Sequence, residues 1–224
     1  MAKELKRDFN LPLIETYCLS EECENKLHTL SLILEEQERL AKRAARKSGA
    51  REMFARFDFL SVPLNEEQIA LLPEKLITPS NKMIYDYQGW QCGLALITEK
   101  LKSCIENIEP SGGHQFIPVE IFNADSKKLG DAYFWRILNV IDSIRLDSGG
   151  IKPVSGLEIT PDSRLTFSYE GSINIYADRV VGKAAWHEMR MGIIKIVSDE
   201  LYGIIKEKNL SNVNMITIQT FVEK

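Results

Sequence analysis

Three histidines, four cysteines and three tryptophans are the side chains of this sequence with which catalysis, metal binding or stacking could be built. A histidine becomes an acid or base only beside a positioned carboxylate or nucleophile. His28 falls inside a long helical pattern, His114 opens a strand after the turn at 110–113, and His187 follows Trp186 in a loop-like stretch. Pairing His114 with Glu120, or His187 with Glu188, would supply an acid and a base. Nothing in the spacing compels either pair, and no catalytic residue is assigned. Cys18 and Cys23 have a metal-like spacing, but a structural zinc needs two more ligands at matching short spacing, and Cys92 and Cys104 lie twelve apart. No metal and no cofactor is expected. Phosphate-loop, nucleophile-elbow, dinucleotide and H-E-x-x-H patterns are all missing. Trp90, Trp135 and Trp186 read as core or rim aromatics.

The elements that would position these residues are readable from capping and periodicity. Residues 21–47 form one long helix: Ser20 is the N-cap, Glu21, Glu22 and Glu24 fill the first turn, and Arg43, Arg46 and Lys47 the last. Leu27, Leu30, Leu34, Ala41 and Ala45 make its apolar side. This pattern fits a helix packed on the domain by one face, or a helix that binds a partner. A second, short helix starts after Asn65 and stops at Pro73, followed by the loop ITPSN. Strands are expected in HQFIPVEIF, where Ile117, Val119 and Ile121 share a face, in AYFWRILNVIDSI, in SINIYADRVV and in NMITIQTFV. Pro118 cannot donate to a ladder, so its strand should be an edge or bulged one. Loops separate the strands, notably at 110–113 and 147–156. ITEKLKSCIEN and VSDELYGIIKE align at a spacing of 100 residues, with Thr98 and Ser198 as N-caps and Leu101 and Leu201 facing the core. Shared capping rules or an old duplication would both produce that echo.

The chain has 224 residues, 44% of them hydrophobic and 27% charged, which is enough to bury a core unaided. A net charge of -4 offers no basic stripe to neutralise phosphates, so nucleic acid is not an expected partner. The basic run from Lys42 to Arg56 is balanced within residues 1–60 by an equal number of acids, eleven of each sign, and reads as a solvated helix end. No stretch approaches the ~20 apolar residues of a bilayer span, and the opening residues lack the apolar run of a signal peptide. Few cysteines without framework spacing fit a reducing compartment. A cytoplasmic protein without a membrane partner is expected.

From about Trp90 to the C-terminus, the capped helix ITEKLKSCIEN, then HQFIPVEIF with its Phe-x-Pro-Val core, then AYFWRILNVID, and finally the helix opening VSDELYGIIKE resemble, in that order, the eleventh immunity-protein family of bacterial polymorphic toxin systems. The likeness leaves residues 1–60 outside. It implies an antidote that binds and neutralises a cognate toxin, protecting the producing cell. None of the motifs that carry the likeness is chemically active, so it marks a scaffold and leaves the contact surface open.

The sequence therefore predicts an α+β fold: a mixed or mainly antiparallel sheet built from residues after 113, packed with helices near 98–108 and 198–208, plus a long N-terminal helix outside it. The division expected is an N-terminal helical region, 1–60, and an α+β domain, 61–224. Asp125, Asp131, Asp147, Asp162 and Glu170, in or beside loops that follow strands, are the expected partner-binding residues, because exposed charge on loops can steer a partner. Two other function classes remain: an enzyme acting on a small molecule or on the toxin through His114 or His187, and an adaptor that oligomerises through the long helix. Oligomeric state is not encoded in any pattern found.

Overall fold

The computed structural model describes residues 3–7, 20–48, 55, 59–78, 83–90, 92–168, 170–191, 194–211 and 213–217. In chain order its elements are β1 (Lys3–Arg7), α1 (Glu21–Lys47), α2 (Glu66–Ile69), β2 (Lys75–Thr78), β3 (Tyr87–Gly89), β4 (Ala95–Thr98) and α3 (Glu99–Ile108). Next come β5 (His114–Asn123), β6 (Lys128–Ile137), β7 (Val140–Ile141), β8 (Ile151–Pro153) and β9 (Leu165–Phe167). A 3-10 turn (Ala177–Arg179), β10 (Ala185–Glu188), β11 (Lys195–Val197), α4 (Asp199–Glu207) and β12 (Val213–Thr217) complete the order. The fold is α+β.

The strands form two five-stranded sheets, β12-β1-β11-β10-β7 and β2-β5-β6-β4-β3, and a separate β8-β9 ribbon. Each large sheet is mixed: β7 and β10 run parallel in the first, β2 and β5 in the second, and the other pairs are antiparallel. Sheet structure thus begins well before residue 113. Strands such as KLIT, YQG and ALIT are three or four residues long, too short for alternation to declare itself, and Lys75–Thr78 takes part of the stretch expected to be the loop ITPSN.

Both faces of the second sheet are covered, which explains why all four residues of β4 are buried. Ala95, Ile97, Trp135 and Ile137 join Leu101, Cys104 and Ile105 of α3, Leu201 and Ile205 of α4, and Ala185 and Val197 of the first sheet in one core. The alternate residues Leu96, Ile117, Val119, Ile121 and Phe134 pack on Leu27, Leu30 and Leu34 of α1. On the first sheet, Trp186 and Ile196 turn the other way, into a third core with Ile144, Ile151, Leu165 and Ile175. Segment 141–180 forms a lobe there.

α1 spans the expected residues, and Ser20 Oγ accepts from Cys23 N at 3.2 Å. Leu27, Leu30, Leu34 and Ala45 are buried while Ala41 is half-buried. α2 has a complete capping box, Asn65 with Gln68. α3 and α4 match the echo except at the caps: Ser198 Oγ accepts from Leu201 N, whereas the Thr98 hydroxyl donates to Asp86 Oδ1 at 2.6 Å.

Pro118 sits in a strand that is internal only over its C-terminal half, since β2 pairs with β5 from Glu120 onward. Glu120 N donates to Glu74 O, so by strand alternation the nitrogen of Pro118 faces the same side, before β2 begins. A register shift at Ile121/Phe122 adds the bulge. Three expectations were wrong in detail. SINIYADRVV holds isolated bridge positions at Ile175, which pairs with Ile144, and Tyr176, and then the 3-10 turn; β8 lies inside the expected loop 147–156; and His187 belongs to β10. Cys18, part of the basic run from Lys42 to Arg56 and the last residues of NMITIQTFV lie outside the described residues.

Candidate functional site

His114 is locked into a buried knot. Trp135 Nε1 donates to its Nδ1 at 3.2 Å, which leaves Nε2–H to donate to Glu109 at 3.1 Å. The Glu109 carboxylate, at the end of α3, also accepts from Asn139 Nδ2 at 3.0 Å, Lys183 Nζ at 2.9 Å and Ala184 N at 3.0 Å. Burial raises this carboxyl, but the four donors, His114 first, outweigh burial and hold it at about 2. Gly113 makes room, because a Cβ there would land on the Glu109 carboxylate. Both ring nitrogens of His114 are engaged, and its side chain is 2% exposed. The knot ties α3 to β5, to the β6–β7 junction and to the approach to β10. Glu120, the partner expected for His114, instead pairs with Lys128 at 2.7 Å.

His187 and Glu188 are neighbours on one strand, so their side chains point to opposite faces and cannot act as a pair. Glu188 accepts from Ser143 N and Oγ and from Arg190 N, and burial pushes its carboxyl up to about 7. Trp186 Nε1 donates to Ser143 Oγ at 3.0 Å, and Arg190 forms a two-pronged pair with Asp142 while donating to Pro161 O. This second knot fastens the lobe to the first sheet. Gly150 and Gly171 close the lobe, since a Cβ on either would strike the backbone of the other segment. His28 is exposed on α1.

A cleft of about 370 Å³ opens between α1 and the sheets. Leu34, Glu35 and Glu38 of α1 form one wall, and Phe59, Arg136 and Lys195 lie among the residues opposite. Arg136 is 5% exposed; it donates to Val62 O and Phe59 O at 3.1 Å and lies over the Phe59 ring. Burial lowers the Arg136 guanidinium, and burial brings the Lys195 ammonium down to about 8. Sequence patterns gave no sign of this cleft, because its cations come from two different strands.

The five expected partner-binding residues are all exposed, on two regions. Asp125 and Asp131 belong to the β5–β6 hairpin, Asp131 inside β6 itself, where it pairs with Lys128 at 2.7 Å. Asp147, Asp162 and Glu170 belong to the lobe; Asp147 pairs with Arg145, and Glu170 lies 3.9 Å from Lys152. Asp162 lines an open concavity of about 610 Å³ together with Val154, Leu157, Glu158 and Arg164. Val154 and Leu157 are 62% and 74% exposed, which for large apolar groups on one loop is the feature sequence reading missed.

Among the described residues no group of three or more His, Cys, Asp or Glu is placed to hold a metal, and no helix is long and apolar enough to cross a membrane. His114 and His187, the residues of the alternative enzyme reading, are both built into strands. The sequence matches the Immunity protein family (Imm11) over residues 21–220, and the chain belongs to that family. Its function is immunity against a toxin. The match begins at the first residue of α1, so the long helix expected to lie outside the likeness is part of the family's domain. Comparison with curated proteins found no match.

Proposed function

We propose that this chain neutralises its cognate toxin by forming a stoichiometric complex in the cytoplasm, without catalysis, and that the lobe carries the contact. Family membership is the observation that carries the reading. The surface follows from the exposed Val154 and Leu157 beside Asp162 and Glu158, with Asp147 and Glu170 in the same lobe. Apolar anchors supply affinity in a desolvated centre, and a charged rim sets register and association rate. The acidic rim suits a basic face on the toxin. Asp125 and Asp131, on the hairpin, extend the surface only if the toxin reaches both regions.

The test is co-expression with the toxin domain encoded by the adjacent gene, followed by size-exclusion chromatography and a titration of protection. A one-to-one complex is expected, with full protection only once antidote equals toxin. Protection at a small fraction of toxin would make the chain an enzyme; separate elution with a lethal toxin would end the binding reading. Asp147→Lys, Asp162→Lys and Glu170→Lys together should lower affinity at least tenfold. Stability should barely move, because exposed substitutions change it by about ±0.5 kcal/mol each. Unchanged affinity would move the contact off the lobe.

A further inference from the structure

Two cations share the cleft beneath α1, and among the described residues neither is ion-paired with the carboxylates Glu35 and Glu38 of the facing wall. Arg136 reaches it from β6 and Lys195 from β11. The hydrogen bonds they make are to backbone oxygens, Val62 O and Phe59 O for Arg136 and Gly93 O at 3.4 Å for Lys195. Among the described residues, no carboxylate lies within ion-pair distance of either, and burial alone accounts for the lowering of both groups. Arg136 is buried and Lys195 half-buried, and a partly desolvated cation with only carbonyl partners costs stability that an opposite charge brought to it recovers.

The carboxylates on the facing wall are engaged along the helix. Glu38 pairs with Lys42 at 2.8 Å and Glu35 accepts from Ser31 Oγ at 3.2 Å. Leu34, Phe59 and Ile137 give the cleft an apolar lining, and His187 completes its sheet side. Its volume falls at the low end of the ~300–1,000 Å³ typical of small-molecule pockets.

We infer that this cleft is a binding site for a small organic carboxylate, whose anionic group sits between Arg136 and Lys195 and whose apolar body lies against Leu34, Phe59 and Ile137. The site is separate from the lobe and lies where α1 faces the sheets. An anion beside Lys195 favours the ammonium form, so binding near pH 8 takes up a proton.

The experiment is calorimetric titration of the purified full chain with sodium benzoate at pH 8, in two buffers of different ionisation enthalpy, with inorganic phosphate in parallel. Saturable benzoate binding is expected with uptake of about half a proton per site, since Lys195 is about half neutral at that pH. Phosphate, with charge but no apolar body, should bind at least tenfold more weakly. Lys195→Met should weaken benzoate at least tenfold. Lys195→Arg, which keeps the charge and cannot deprotonate, should bind without the proton uptake and shows that the variants fold. Absence of saturable benzoate binding overturns the inference, as does Lys195→Met binding like the parent or phosphate binding more tightly than benzoate. All arms use the chain alone, so failure here leaves the toxin-binding reading standing.

Discussion

Glu109→Gln should destabilise the fold by about 3 kcal/mol at neutral pH and remove part of its response to acid. A carboxyl held at about 2 against its usual 4.5 is worth roughly 3 kcal/mol, at ~1.4 kcal/mol for each pH unit between the two values. Gln keeps the shape but offers one acceptor oxygen where the carboxylate accepts from His114, Asn139, Lys183 and the Ala184 amide. Its own NH₂ group must then face a donor. Because the folded value is depressed, the stabilisation is fully present above pH 4.5 and is lost as pH falls toward 2. Urea denaturation followed by circular dichroism, on the parent and the variant at pH 7, 5 and 3, measures it. The gap should stay near 3 kcal/mol at pH 7 and 5 and shrink to about 1.5 kcal/mol at pH 3. A gap that is constant from pH 7 to pH 3, or smaller than about 1 kcal/mol at pH 7, refutes the account of Glu109 as an ionised joint.

Leu101→Ala and Leu201→Ala, at matched positions in one shared core, should each cost about 2–5 kcal/mol in the same urea assay; a loss below 1 kcal/mol at either would mean that its site collapses without a cavity. Glu188 shows the opposite pH sign to Glu109. Its folded value is raised to about 7, so the native state holds the extra proton, and its contribution falls as pH rises from 4.5 to 7. In Glu188→Gln that decline should disappear from urea midpoints measured at pH 5, 6 and 7, and its persistence would show that another group carries it.

Local rules determined the helices by themselves. The caps Ser20, Asn65 and Ser198, the acidic first turns and the leucine spacing are all decided within a few residues of chain, so α1, α3 and α4 were readable with their buried faces and α2 by its cap. β5 was readable from alternation repeated over its length, and β6 from its aromatic and β-branched residues, although AYFWRILNVIDSI, expected as one strand, is divided between β6 and β7. The family pattern gave the function for a related reason: it is carried by the linear order of such elements. Tertiary structure decided what depends on segments far apart in the chain. β1 pairs with β11 and β12 about two hundred residues away, and short strands such as β4 exist because both of their faces are covered. His114 found its partner in Glu109 and a donor in Trp135, not in the Glu120 of its own strand, since residues six apart on a strand share a face but stand too far apart to touch. The cleft between Arg136 and Lys195, and the exposed Val154 and Leu157, likewise carry no signature in the sequence. A sequence records which groups are charged or apolar, and only the packed chain decides which of them are left facing a cavity or solvent.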